Sequence, residues 1–342
     1  MLLLFLLAAA AAAAGGGRGD DLCSLKVEMD ALTLSVPSKA SAEAVREFAK
    51  KLSGMKGIGC DGSETCIVNA LERALKARRE SCDPVLEGQR FAEIARLARL
   101  AAVDLSLPST EEEDQEEESV EKLVEDFDLV DLSVIERLTS ELDFAVSGLA
   151  MEGHSGDLLR QRKLYAKVAA WPRIKHICEI GFNVGHSALV WLASNPEAKV
   201  VSFDFFDTRG GRLGFDFLKE RFGERLTIVK GPSSVTAPAF AEAAESTGFK
   251  CDLLVVDGGH GLEDAESDLR AMRRLANPKN HLLFIDDIFC QSYHCIGPTK
   301  AANDLRAKGA LSDPIVQFTE HDGLTDDARG IALFRFLGLS PS

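Results

Sequence analysis

The sequence predicts an α/β protein, a doubly wound sheet of seven strands with a small helical domain ahead of it. Three observations predict it. From Ile177 onward, short β-rich runs alternate with helical stretches, the pattern of a parallel sheet covered on both faces. The last two runs, Pro314 to Glu320 and Gly330 to Phe336, follow each other with no helix between them, which makes them an antiparallel hairpin. Before the sheet, apolar residues recur at helical rather than alternating spacing.

Length agrees with this division, since 342 residues exceed one average domain and suit one domain plus a smaller partner. A hydrophobic content of 46% supplies enough apolar surface for a packed core and rules out a wholly disordered chain. The formal charge of −15 is concentrated. Eleven acids and one lysine between Glu111 and Asp128 give a local net of −10, leaving about −5 for the rest. Nowhere do Lys and Arg gather on one face, so nucleic acid is not the expected partner. A small molecule is.

The elements follow in order. Met1 to Ala14 is an unbroken Leu/Phe/Ala run ending in Gly15, Gly16 and Gly17, which has the length and the small residues of a cleaved secretory signal, here taken as residues 1–17. It is shorter than the roughly 20 residues of a bilayer span. The expectation is therefore the secretory pathway with no stable membrane span after cleavage; the alternatives are an uncleaved anchor or a cytoplasmic protein. Residues 20–105 form the small helical domain, with helices at Ser41 to Leu52, Glu64 to Arg79 and Gln89 to Val103, the last marked by Phe91, Ile94, Leu97 and Leu100. Four of the eight cysteines, Cys23, Cys60, Cys66 and Cys82, fall in it. In an oxidising compartment they form disulfides in one of three pairings. Cys178 and Cys251 sit in predicted strands and read as small buried apolar residues.

Residues 106–128 read as an acidic linker, because a block of like charge cannot bury itself. The second domain spans 130–342, with its core from 174. Leu132, Ile135, Leu138 and Leu142 make a helical stripe, and Leu158 to Ala170 another, in which Arg160, Gln161, Arg162 and Lys163 read as the solvated face. Glu152 to Gly156, just ahead of it, is a candidate lid. The five strands of the βα units are Ile177 to Gly181, Lys199 to Phe206, Leu226 to Gly231, Asp252 to Asp257 and His281 to Ile288. The helices between them are Ser187 to Ser194, Phe215 to Phe222, Ala237 to Ser246 and Glu263 to Leu275.

Chemistry-bearing residues cluster at the carboxyl ends of those strands, where open α/β sheets bind ligands. Glu179-Ile180-Gly181-Phe182-Asn183-Val184-Gly185-His186-Ser187 leads from the first strand into the first helix, and its two glycines let the backbone turn tightly against a ligand. The spacing lacks the close glycine pair that admits a pyrophosphate, which favours a cofactor without phosphates there. This segment resembles the first motif of the class I methyltransferases, whose sheet also ends in a β-hairpin. The resemblance implies that Glu179, Gly181, Asn183, Gly185, His186 and Ser187 hold S-adenosylmethionine. Asp204 would bind the ribose hydroxyls, with Phe205 or Asp207 as alternatives. Ser233, in Gly231-Pro232-Ser233-Ser234, would stand beside the adenine, with Pro232 where the family has an acid.

Asp257-Gly258-Gly259-His260 after the fourth strand and Asp286-Asp287 after the fifth bring three carboxylates and an imidazole to neighbouring strand ends. Carboxylates packed there raise one another's pKa unless a cation sits among them, and a hard divalent ion with oxygen ligands answers that need. The pattern is similar to the methyltransferase type 24 group, with its sugar and macrolide O-methyltransferases. That resemblance makes Asp257, Asp286 and Asp287 ligands of Mg2+. It also implies methylation of a small-molecule or sugar hydroxyl, the acceptor's proton going to His260, with His294 and Asp257 as further candidate bases. Another reading keeps the same residues in a catalytically inactive, cofactor-binding interaction protein with a secreted helical module.

Overall fold

Seven strands pair in the order β5-β4-β3-β6-β7-β9-β8. They are β3 (His176–Ile180), β4 (Lys199–Asp204), β5 (Leu226–Lys230), β6 (Leu253–Val256), β7 (Leu282–Asp286), β8 (Val316–His321) and β9 (Ala328–Phe334). β3 to β7 are parallel, and β9 runs antiparallel between β7 and β8. This is the predicted sheet, each strand within three residues of its expected ends. The structure, a computed structural model, describes residues 24–29, 32–37, 84–102, 120–147, 155–321 and 328–339. The expected signal segment, the helices at 41–52 and 64–79, the four N-terminal cysteines and most of the expected lid lie outside the described residues. Among the described residues no helix is long and apolar enough to cross a membrane.

The chain divides into two units, Met1–Glu93 and Ile94–Ser342. In the first, β1 (Ser24–Met29) and β2 (Leu32–Pro37) form an antiparallel hairpin where only helices were expected. Leu25, Val27 and Met29 alternate with polar residues, as do Leu32, Leu34 and Val36. That period of two is a strand signal the helical reading passed over. Helix α1 (Pro84–Ala102) crosses the division between the units. Its inward face is Ile94 and Ala98, while Phe91 and Leu100 are exposed, so the stripe is rotated from the one predicted.

The second unit begins in what the sequence presented as linker. α2 (Val120–Leu123) and a 3-10 turn at Phe127–Leu129 bury Val120, Leu123 and Phe127 in the core, so the acid-rich stretch is a linker at most up to residue 119. α3 (Ser133–Ala145), α4 (Leu159–Ala169), α5 (His186–Ser194) and α6 (Arg209–Phe222) line one side of the sheet around Tyr165, Trp191 and Phe284. α7 (Ser233–Glu245), α8 (Leu262–Leu275), α9 (Ile296–Ala307) and the second half of α1 line the other, around Phe203, Phe240 and Phe249. α9 was not anticipated. Gly297 and Pro298 occupy its first turn, where a missing N–H has no intrahelical partner to lose.

Cys178 and Cys251 are not free apolar residues: they form a disulfide between β3 and the residue just before β6, and Cys290 and Cys295 form another. The first closes a loop of 73 residues. Removing it by paired Cys→Ala substitution is expected to cost about 2 to 4 kcal/mol, mainly by freeing the unfolded chain. Denaturant midpoints of the pair variant and of the untreated and dithiothreitol-treated wild type check this; identical midpoints would contradict the bond.

Candidate active site

The loop from β3 into α5 has the backbone its glycines permit. Gly181 and Gly185 have φ of +98° and +97°, and Asn183 joins them in the left-handed region. Gly181 is also a close approach: a Cβ there would lie 1.9 Å from the Asp257 carbonyl oxygen. The loop therefore rests directly on the strand end that carries the acidic cluster.

The residues around this loop divide into those at its surface and those behind it. Asn183 is exposed. Glu179, expected at the entrance, is wholly buried: its carboxylate accepts the Trp191 indole N–H at 3.0 Å and the Ser202 hydroxyl at 2.6 Å, with Ser187 as a third donor. Burial raises its pKa against those three bonds. Glu179 and Ser187 thus brace the loop from within, because a carboxylate in an apolar interior must be saturated with donors. His186 is likewise turned inward, its Nε2 2.8 Å from Asp143 Oδ1. Asp204 lies beneath the loop, where its Oδ2 accepts the N–H groups of Phe182 and Asn183 at 3.0 Å each and its Oδ1 that of Phe206 at 2.6 Å. These bonds set the loop's shape, so any contact of Asp204 with a ligand would use its remaining lone pairs.

The second cluster lies one strand over. β6 and β7 are adjacent and parallel, which brings Asp257 and Asp286 to neighbouring strand ends. One ligand atom each from Asp257, His260 and Asp287 lie within 4.8 Å of one another. Asp286 faces helix α4: its Oδ2 accepts the Gln161 side-chain amide at 2.6 Å, and its Oδ1 accepts the Asp287 N–H at 2.9 Å. Gln161, read from sequence as solvated, is 2% exposed. Its signal was its place in the stripe Gln161, Leu164, Tyr165, Val168, all buried.

Asp287 is the hub of charge. His260 Nε2 lies 2.8 Å from its Oδ2 and His294 Nε2 3.3 Å from its Oδ1. Arg329, on β9, donates from Nη1 to both oxygens at 3.1 Å. Burial pushes the Asp287 carboxyl up, but His260 and Arg329 outweigh it and hold the group below its usual range. Its neighbours lack such cover. Burial, then Asp287, pushes Asp286 up to about 7, and burial with Asp286 and Asp287 holds Asp257 well above the carboxylate range. Arg329 was missed in the sequence because it lies 42 residues beyond Asp287, and only the antiparallel return of β9 brings it back.

Residues 178–288 match the family model described as a methyltransferase domain, type 24. This stretch of the chain, from β3 to the end of β7, is similar to that family. The search of curated proteins found no match. Among solved structures, the chain is similar to an O-methyltransferase from Bacillus cereus in complex with SAH. The identity is 12%, the TM-score 0.46, and the match covers 60% of this chain and 93% of that one. It is similar also to the O-methyltransferase TomG from Streptomyces achromogenes, involved in tomaymycin synthesis and in complex with SAM. There the identity is 16%, the TM-score 0.44, and the coverage 61% of this chain and 92% of that one.

One more acid is buried close to this cluster. Asp268 of α8 is 1% exposed, and a Cβ on Gly258 would sit 2.6 Å from its Oδ2. Burial pushes it up to about 7. A carboxyl whose folded pKa exceeds its unfolded value of 3.8 loses stability for the protein as pH rises between the two. Asp268→Asn is therefore expected to melt above wild type at pH 8, with the gap closing toward pH 4. A gap independent of pH would show that Asp268 is ionised in the fold.

Proposed function

We propose that the protein is an S-adenosylmethionine-dependent O-methyltransferase that acts on a neutral small-molecule or sugar hydroxyl, with Mg2+ held by the acidic cluster. The observation that carries this reading is the position of the cluster: three carboxylates at the ends of β6 and β7, directly against the glycine loop. An inactive cofactor-binding protein would have no use for such a concentration of charge.

The donor set fits a divalent ion. Arg329 is bonded to Asp287, whereas burial and the neighbouring carboxylates raise Asp257 and Asp286. Each carboxylate offers about four lone pairs, and the hydrogen bonds to Asp286 leave some of them for a cation. Asp257, Asp286 and Asp287 would hold the ion, with His260 close enough to join them. Bound there, it would acidify a hydroxyl of the acceptor.

The chain's own residues do the rest. The loop at Gly181 to Gly185, braced by Glu179 and Asp204, holds the methyl donor, and alignment of donor with acceptor supplies most of the acceleration because the sulfonium is already electrophilic. The acceptor's proton passes to Asp257. His260, preferred from sequence, is placed less well, since its Nε2 is committed to Asp287 and its Nδ1 is buried. Asp257 lies directly against the cofactor loop, and a carboxylate oxygen not engaged by the ion can take the proton there. His260 and His294 instead hold Asp287 in place. Arg329, bonded to Asp287, is not available to an anionic acceptor, which supports a neutral one. Two disulfides among the described cysteines, together with the apolar N-terminal segment, support residence in the secretory pathway.

Calorimetry of S-adenosylmethionine with and without Mg2+ tests the reading. Cofactor binding is expected in both, and a separate heat of Mg2+ binding that Asp286→Asn removes. Absence of cofactor binding in both conditions would overturn it.

A further inference from the structure

We infer that Gln161, on the helix ahead of the sheet, is a positioning residue that orients Asp286 for the cation. This rests on the function proposed above. The Gln161 amide nitrogen donates to Asp286 Oδ2 at 2.6 Å and to the Tyr165 hydroxyl at 2.8 Å, and that hydroxyl lies 3.4 Å from the same oxygen. Gln161 and Tyr165 are 2% and 1% exposed, so no water competes for these bonds. A carboxylate at the end of a strand has free rotation about its side chain. Here one oxygen is pinned by Gln161 and the other by the Asp287 N–H, and one orientation remains.

The pin is itself held from outside the βα core. Glu320, on β8, accepts the N–H of Arg160 at 2.9 Å and that of Gln161 at 3.0 Å, capping the first turn of α4. A carboxylate at a helix N-terminus satisfies donors that have no intrahelical partner and meets the positive end of the helix dipole. Asp128 and the rings of Phe127 and Phe318 hold the Arg160 guanidinium on the other side. The register of α4, and with it the reach of Gln161, is thus fixed by groups that touch neither cofactor nor cation. Partners that orient a metal ligand typically change metal affinity by about 10- to 100-fold when removed.

The test uses Mn2+ as the probe, titrated into the purified full chain and followed by water proton relaxation, alongside calorimetry of S-adenosylmethionine. Gln161→Met, which keeps the volume and removes the donor, is expected to weaken Mn2+ binding about 10- to 100-fold. Cofactor affinity should stay within about threefold, since Gln161 does not touch the glycine loop. Gln161→Asn, one carbon too short to reach, should weaken Mn2+ binding similarly. Glu320→Ala, at the surface, should weaken it less and in the same direction, and it carries the test if the Gln161 variants fail to fold. Unchanged Mn2+ affinity in folded Gln161 variants, with wild type binding Mn2+, would overturn the inference and leave the proposed function standing. A wild type that binds S-adenosylmethionine but no Mn2+ would overturn both the inference and the metal part of that function.

Discussion

Gly181→Ala is expected to cost about 3 to 5 kcal/mol and to remove S-adenosylmethionine binding, because two separate penalties fall on one atom. The φ of +98° is strained for any residue with a Cβ, and the Asp257 carbonyl oxygen occupies the place the Cβ would take, 1.9 Å away. Relief requires the loop to lift from the end of β6, which separates it from the acidic cluster. Gly309 is the control. Its φ is +66°, but nothing lies within 4 Å of the added Cβ, so Gly309→Ala should cost only the conformational part, about 1 kcal/mol. Chemical denaturation of both variants, with cofactor calorimetry on whichever folds, measures the difference. Equal losses would mean that the close approach at Gly181 is relieved at no cost.

Asp287→Asn should be the second most damaging change, at about 3 kcal/mol, because it leaves a half-buried guanidinium without its counter-ion and two imidazoles without their shared partner. Arg329→Met removes the same pair from the other side. The double variant should recover part of the loss, a coupling of more than about 1 kcal/mol. The pH dependence has a definite sign. Asp287 is held below its unfolded value of 3.8, so its contribution is complete above that value and is lost as pH falls through the lower, folded one. The gap between wild type and Asp287→Asn should therefore be constant near neutrality and shrink below about pH 4. A gap that widened in acid would contradict the assignment of Asp287 as the ionised hub.

Most of the sheet was legible because strands buried on both faces must be apolar runs and the helices between them must be amphipathic; β8, half-buried and alternating, is the exception. The glycine loop and the three aspartates were legible because their residues are contiguous or fall at strand ends. What sequence did not show was direction. Glu179, His186 and Ser187 belong to the motif but point inward, and nothing in their order distinguishes a residue that lines a loop from one that props it up. Gln161 was misread because the lysine and arginines beside it are solvated, although its place in a buried stripe marked it. Arg329 had no local signal at all, since its partner is supplied by strand pairing across 42 residues. The β1–β2 hairpin had a clear alternation that was outweighed by the helical pattern following it.

The C-terminal hairpin has a consequence in time. β8 contributes Glu320 to the first turn of α4, and β9 contributes Arg329 to Asp287, so strands synthesised after the aspartates complete the cluster. A chain emerging from the ribosome would have the glycine loop and all three aspartates in hand while the cluster was still unbalanced and α4 uncapped. On the proposed function, methyl transfer would begin only once residues 316–334 had been made and paired, and a product truncated before residue 316 would be inert even if its parallel strands had assembled.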